Sequence, residues 1–105
     1  MDTFKVLIVE DDEVTALNLK MSLEKHNYNV VSISNTAMQA HNKIKVYHPQ
    51  IILVDISLQK SDDGIELAHY IREKHQLPFI YLTAHTDSNI INMCISFRKL
   101  NPDGV

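Results

Sequence analysis

From Lys5 to Glu13 the chain reads KVLIVEDDE, an apolar run that ends in four consecutive acids, Glu10, Asp11, Asp12 and Glu13. The run from Phe4 to Val9 is too continuous for a half-exposed strand, so it reads as a strand buried on both faces. Four adjacent like charges repel one another, and such a patch costs stability unless a cation or solvent offsets it. A buried strand that stops at a cluster of carboxylates points to an α/β sheet with a binding site at its rim.

The segments that follow carry the same alternation. Between Glu13 and His26 the positions Val14, Leu17 and Met21, joined by Ala16, Leu19 and Leu23, form a broad apolar stripe that predicts a helix. NYNVVSIS, ending at Ser34, reads as a second strand containing Val30, Val31 and Ile33. A second helix from about Thr36 carries Ala37, Ala40, Ile44 and Tyr47 and stops before Pro49. IILVDI, Ile51 to Ile56, is the third strand and the most apolar. The loop SLQKSDDG leads into a helix from about Gly64 to His75, with Ile65, Ala68 and Ile71 on one face. Pro78 introduces FIYLTA, the fourth strand, and a last helix runs to about Leu100. Its apolar residues Ile90, Ile91, Met93, Cys94, Ile95, Phe97 and Leu100 spread over more than one face. The order β-α-β-α-β-α-β-α implies a doubly wound parallel sheet with helices on both sides.

Composition narrows the function classes. A chain of 105 residues, 45% hydrophobic, fits one domain with a small core. Ten Lys and Arg against thirteen Asp and Glu give a net charge of -3, without a basic cluster that could track a phosphate backbone, so direct nucleic-acid binding is not expected. Cys94, the single cysteine, cannot form an internal disulfide, and no signal peptide or membrane-length apolar run is present. The expected location is the cytoplasm. Only two glycines occur, Gly64 and Gly104, which leaves no Gly-rich phosphate cradle. His26, His41, His48, His69, His75 and His85 are scattered and show no zinc-ligand spacing.

In such sheets ligands bind beyond the carboxyl ends of strands, where the strand order reverses. Strand three ends at Asp55 and strand four at Thr83. One rim is therefore expected to gather Glu10 and Asp11, with Asp12 beside them, the Asp55 carboxylate and the Thr83 hydroxyl. Carboxylates with room for water and phosphate oxygens suit Mg²⁺. A carboxylate next to the ion can also attack phosphorus and form an acyl phosphate, and Asp55, alone at the end of the most apolar strand, is the candidate nucleophile. Asp62 and Asp63, before Gly64, read as a turn and a helix cap and not as part of this site.

VEDD after strand one, VDI ending strand three, DG opening the third helix and LTAH after strand four, with 44 residues from Asp11 to Asp55, resemble the receiver domains of two-component response regulators. The resemblance implies a flavodoxin-like receiver fold. It implies that Asp55 accepts a phosphoryl group from a sensor histidine kinase, a phosphotransfer protein or a small phosphodonor, the chain thereby taking part in its own phosphorylation and dephosphorylation. Asp11 would then hold Mg²⁺ directly and Glu10 through water, with Asp55 and the backbone carbonyl of Ser57 completing the protein ligands. Thr83 would hydrogen-bond a phosphoryl oxygen and pass the signal toward a downstream effector domain.

The family pattern continues into a fifth strand ending in Lys-Pro and a fifth helix, whereas this sequence reaches NPDGV and stops. Residues 1–105 are thus expected to form a C-terminally truncated receiver domain, with strand order 2-1-3-4 and the fifth strand and helix missing. Lys99, which precedes the Pro102-Asp103-Gly104 turn, is not assigned the role of the family's lysine, and Gln59 stands where the family often has Pro. The fifth helix would share a sheet face with the first, so its absence is expected to uncover core and to leave FIYLTA as an exposed edge, favouring a homodimer. The rival reading is a receiver-like interaction or dimerisation module that is never phosphorylated. A phosphohydrolase would need a general acid for which there is no candidate.

Overall fold

Two apolar clusters, one on each face of a parallel sheet, organise the chain. The computed structural model describes residues 4–55, 69–75, 77–82 and 87–100. Strands β1 (Phe4–Val9), β2 (Tyr28–Ser34), β3 (Ile51–Val54) and β4 (Phe79–Tyr81) form one sheet in the order 2-1-3-4. Every pair in it is parallel. Central β1 is covered on both sides. Val6 and Ile8 join one cluster, Leu7 and Val9 the other, and all four are fully buried. This two-sided burial is why the run shows no apolar-polar alternation.

Helix α1 (Glu13–Lys25) starts where Asp12 caps it, the carboxylate accepting from the Thr15 N–H at 3.2 Å and from the Thr15 hydroxyl. A cap of this kind stabilises a helix by about 1 kcal/mol. The face of α1 that reaches the sheet is Ala16, Leu19 and Leu23. Val14, Leu17 and Met21, read from the sequence as the leading members of the stripe, are 67%, 52% and 52% exposed instead. The stripe of the sequence reading was too broad: apolar residues occur on both sides of this helix, and only one side meets the sheet.

Helix α2 (Ala37–Tyr47) is capped by Thr36, whose hydroxyl accepts from the Gln39 N–H at 3.2 Å. Ala40 and Ile44 are buried, Ala37 packs partly against their cluster, and Tyr47 turns outward. His48 ends the helix in the left-handed region, with φ of 50°, and its N–H donates to the Ile44 carbonyl at 3.1 Å, just ahead of Pro49. Most of the third predicted helix, with Asp62 and Asp63, lies outside the described residues. Its end is seen: His69 and Tyr70 are helical, and Ile71–His75 forms a π-helical turn that buries Ile71 on the α2 side.

Helix α3 (Asp87–Leu100) packs on the same face as α1. Ile90, Ile91 and Cys94 join Leu19, Leu23, Phe4, Leu53 and Ile80 in that cluster. The expectation of uncovered core on the α1 face is therefore corrected, since the last helix takes up that position. Cys94 is a small core residue, and burial pushes its thiol up to about 12. Among the described residues β4 has no strand on its outer side. No helix among them is long and apolar enough to cross a membrane.

Candidate functional site

The parallel register brings the ends of β1 and β3 side by side, with Val9 opposite Val54. The residues just beyond these ends must then share the rim. The Asp55 N–H donates to the Val9 carbonyl at 2.9 Å, and the Glu10 N–H donates to the Ser34 carbonyl at 2.9 Å. Backbone pairing thus continues one residue past each strand and fixes where the carboxylates start. Glu10, Asp11 and Asp55 each bring a carboxylate oxygen to within 4.8 Å of the others.

The four acids of the opening run separate into different tasks. Glu10 is only 7% exposed, and its carboxylate accepts from the Asp12 N–H at 3.1 Å. Asp11 completes the trio with Asp55. Asp12 is turned to the cap of α1 and is not one of the three convergent acids. Its spacing to Thr15 was the signal for that role, an acid placed before a helix with N–H groups still unpaired. Glu13 lies exposed in the first turn of α1, where a negative charge suits the helix dipole.

Burial is the main reason that the Glu10 carboxyl is pushed up from 4.5 to about 7, and the carboxylates of Asp55 and Asp11 push in the same direction. The Asp12 N–H pulls it back in part. Crowded, partly desolvated acids of this sort gain from a hard cation, and their oxygen donors fit one such as Mg²⁺. Ser34, which the sequence reading did not single out, stands at the end of β2 next to Val9. It is fully buried, and its hydroxyl has no partner among the described residues. Thr83, Ser57, His85 and Gln59 lie outside the described residues.

Comparison with known proteins agrees with this geometry. The chain matches the response regulator receiver domain family over residues 6–99. It is 37% identical over 87 residues to the transcriptional regulatory protein KdpE of Staphylococcus aureus, a match covering 83% of this chain and 37% of that protein. It spans between a third and about two fifths of the length of the curated relatives it matches. Among solved structures, the N-terminal domain of a response regulator/sensory box/GGDEF 3-domain protein from Carboxydothermus hydrogenoformans aligns with a TM-score of 0.81 at 28% identity, over 91% of this chain and 94% of that one. The signal receiver domain of a modulated diguanylate cyclase from Desulfovibrio desulfuricans G20, described as an example of alternate folding, aligns at 0.71 with 32% identity, over 93% and 76% of the two chains.

Proposed function

Because this chain belongs to the response regulator receiver domains, we propose that it is a phosphorylation-dependent signalling switch whose phosphoacceptor is Asp55. The observation that carries the reading is the convergence of Glu10, Asp11 and Asp55 within 4.8 Å at the end of the central strands. A carboxylate oxygen of Asp55 attacks phosphorus in line, and the bond from phosphorus to the donor's leaving atom breaks as the acyl phosphate forms. With a kinase or phosphotransfer protein as donor, that leaving group is the imidazole of a phosphohistidine.

Asp11 and Asp55 would hold Mg²⁺ directly and Glu10 through water, with the Ser57 backbone carbonyl as a further ligand; bound there, Mg²⁺ would supply positive charge to offset that of the transferring group. Thr83 donates its hydroxyl to a phosphoryl oxygen and relays the change to an effector. The chain works in the cytoplasm, with a sensor histidine kinase or phosphotransfer protein upstream.

The test is titration with beryllofluoride in Mg²⁺, followed by amide shifts, and incubation with a small phosphodonor followed by intact mass. Expected are saturable shifts around Asp55 and a mass gain of one phosphoryl group, both lost in Asp55→Asn. An unchanged gain in Asp55→Asn removes the assignment. No shift and no gain in the wild-type protein favours the interaction module that is never phosphorylated.

A further inference from the structure

Phe4 and Tyr28 open β1 and β2 and stand opposite each other in register. Their rings meet edge to face, with centroids 6.0 Å apart and planes at 86°. The Arg98 guanidinium near the end of α3 lies over both, 5.7 Å from the Phe4 centroid and 5.3 Å from that of Tyr28. Stacking of this kind holds the guanidinium in place. An arginine already ordered loses less freedom when a ligand arrives.

Beside this stack is a cavity of about 520 Å³ lined by His26, Tyr28, Ile95, Arg98 and Lys99. Among the described residues its lining has two permanent cations and no carboxylate. The C-terminal ends of α1 and α3 approach the same place, and each carries roughly half a negative charge. The full positive charges of Arg98 and Lys99 outweigh these partial charges among the described lining residues. His26 uses Nδ1 toward the Ser22 carbonyl at 2.9 Å, which leaves Nε2 for another partner. Burial raises the Tyr28 phenol above its ordinary 10.0, with Arg98 opposing, so its hydroxyl stays protonated at neutral pH.

We propose that this cavity binds a small organic oxyanion. Arg98 and Lys99 hold the anionic group, while Tyr28 and Ile95 offer apolar surface to the body that carries it. The site is at the start of β1, roughly 20 Å along the strand from the acids beyond its end. It is independent of phosphoryl transfer at Asp55.

The test is an NMR titration of the whole chain without Mg²⁺, using phenyl phosphate, benzoate and inorganic phosphate as separate probes. Phenyl phosphate and benzoate share a ring and differ in the anion, whereas inorganic phosphate has no ring. Expected are saturable shifts at His26, Tyr28, Ile95, Arg98 and Lys99 with at least one ring-bearing probe, and weaker binding of inorganic phosphate. The tighter of the two ring-bearing probes then identifies a phosphate or a carboxylate as the preferred group. Lys99 is exposed, so Lys99→Gln spares the fold and is expected to weaken binding about tenfold. Arg98→Lys keeps the charge, loses the planar fork and is expected to weaken it as well. The proposal is overturned if neither ring-bearing probe gives a saturable shift, if Lys99→Gln binds as the wild type does, or if shifts are equal at Lys5, Lys20, Lys43 and Lys45.

Discussion

The backbone N–H of Asp55 donates to the carbonyl oxygen of Val9 at 2.9 Å. This bond continues the β1–β3 pairing one step beyond the last paired residues, Val9 and Val54. The result is that Asp55 enters the rim beside Glu10 and Asp11, although it follows Asp11 by 44 residues in sequence.

Mg²⁺ is expected to raise the melting temperature at neutral pH, because an ion that binds only the folded chain stabilises it by about 2.7 kcal/mol at a hundred times its dissociation constant. Asp11→Ala should lose most of this gain while still folding. A thermal melt that does not move with Mg²⁺ in the wild type speaks against an acidic metal site.

Stability without Mg²⁺ is expected to fall as pH rises from about 4.5 to about 7. The Glu10 carboxyl is raised in the folded chain, so the fold binds a proton across that window which the unfolded chain has released. The contribution is fully present below the ordinary carboxyl value and is lost as pH passes the raised one. Urea unfolding at several pH values measures it, and Glu10→Gln should flatten the profile there. Mg²⁺ favours the charged form, so its binding near neutral pH should release protons into a weakly buffered solution.

The two sides of α1 should respond differently to truncation. Leu23→Ala removes a fully buried side chain and is expected to cost about 2 to 5 kcal/mol. Leu17→Ala, on the exposed side, should stay within roughly 0.5 kcal/mol of the wild type. Denaturant midpoints for the pair check which side faces the sheet.

Much of this architecture was legible because β1 and β3 are continuous apolar runs that stop at acids. KVLIV and IILV allow few readings other than buried parallel strands, and their ends name Glu10, Asp11 and Asp55 at once. The inward face of α1 was not legible. With Val14, Ala16, Leu17, Leu19, Met21 and Leu23 all apolar, periodicity alone leaves two sides open, and only contact with the sheet chooses between them. The side taken by α3 was hidden for another reason. Crossover handedness constrains a helix that leads to a further parallel strand, and among the described residues no strand follows α3.

With α3 covering the α1 face, one of the two reasons to expect association is gone, and the outer edge of β4 remains. Phe79–Tyr81 is short, but near it Ile51, Pro78, Phe79, Ile80, Asn92, Met93 and Ser96 line a groove with no charged side chain among the described residues. Light scattering over a concentration series is therefore expected to show a weak, concentration-dependent rise in mass. Met93→Lys, which places a charge at a 39% exposed position, should suppress it. A constant monomer mass at high concentration means that this edge does not pair.

The placement of α3 also sets a schedule. Among the described residues the α2 side draws on nothing after Phe79, because Leu7, Val9, Ala40, Ile44, Ile52, Val54, Ile71, Leu77 and Phe79 all precede α3. The opposite side waits for Ile90, Ile91 and Cys94 to join residues as early as Phe4 and Leu19. A chain emerging from the ribosome can thus assemble one half of its interior while the other half is still open to water. The hazardous interval in the synthesis of this interior lasts until α3 arrives.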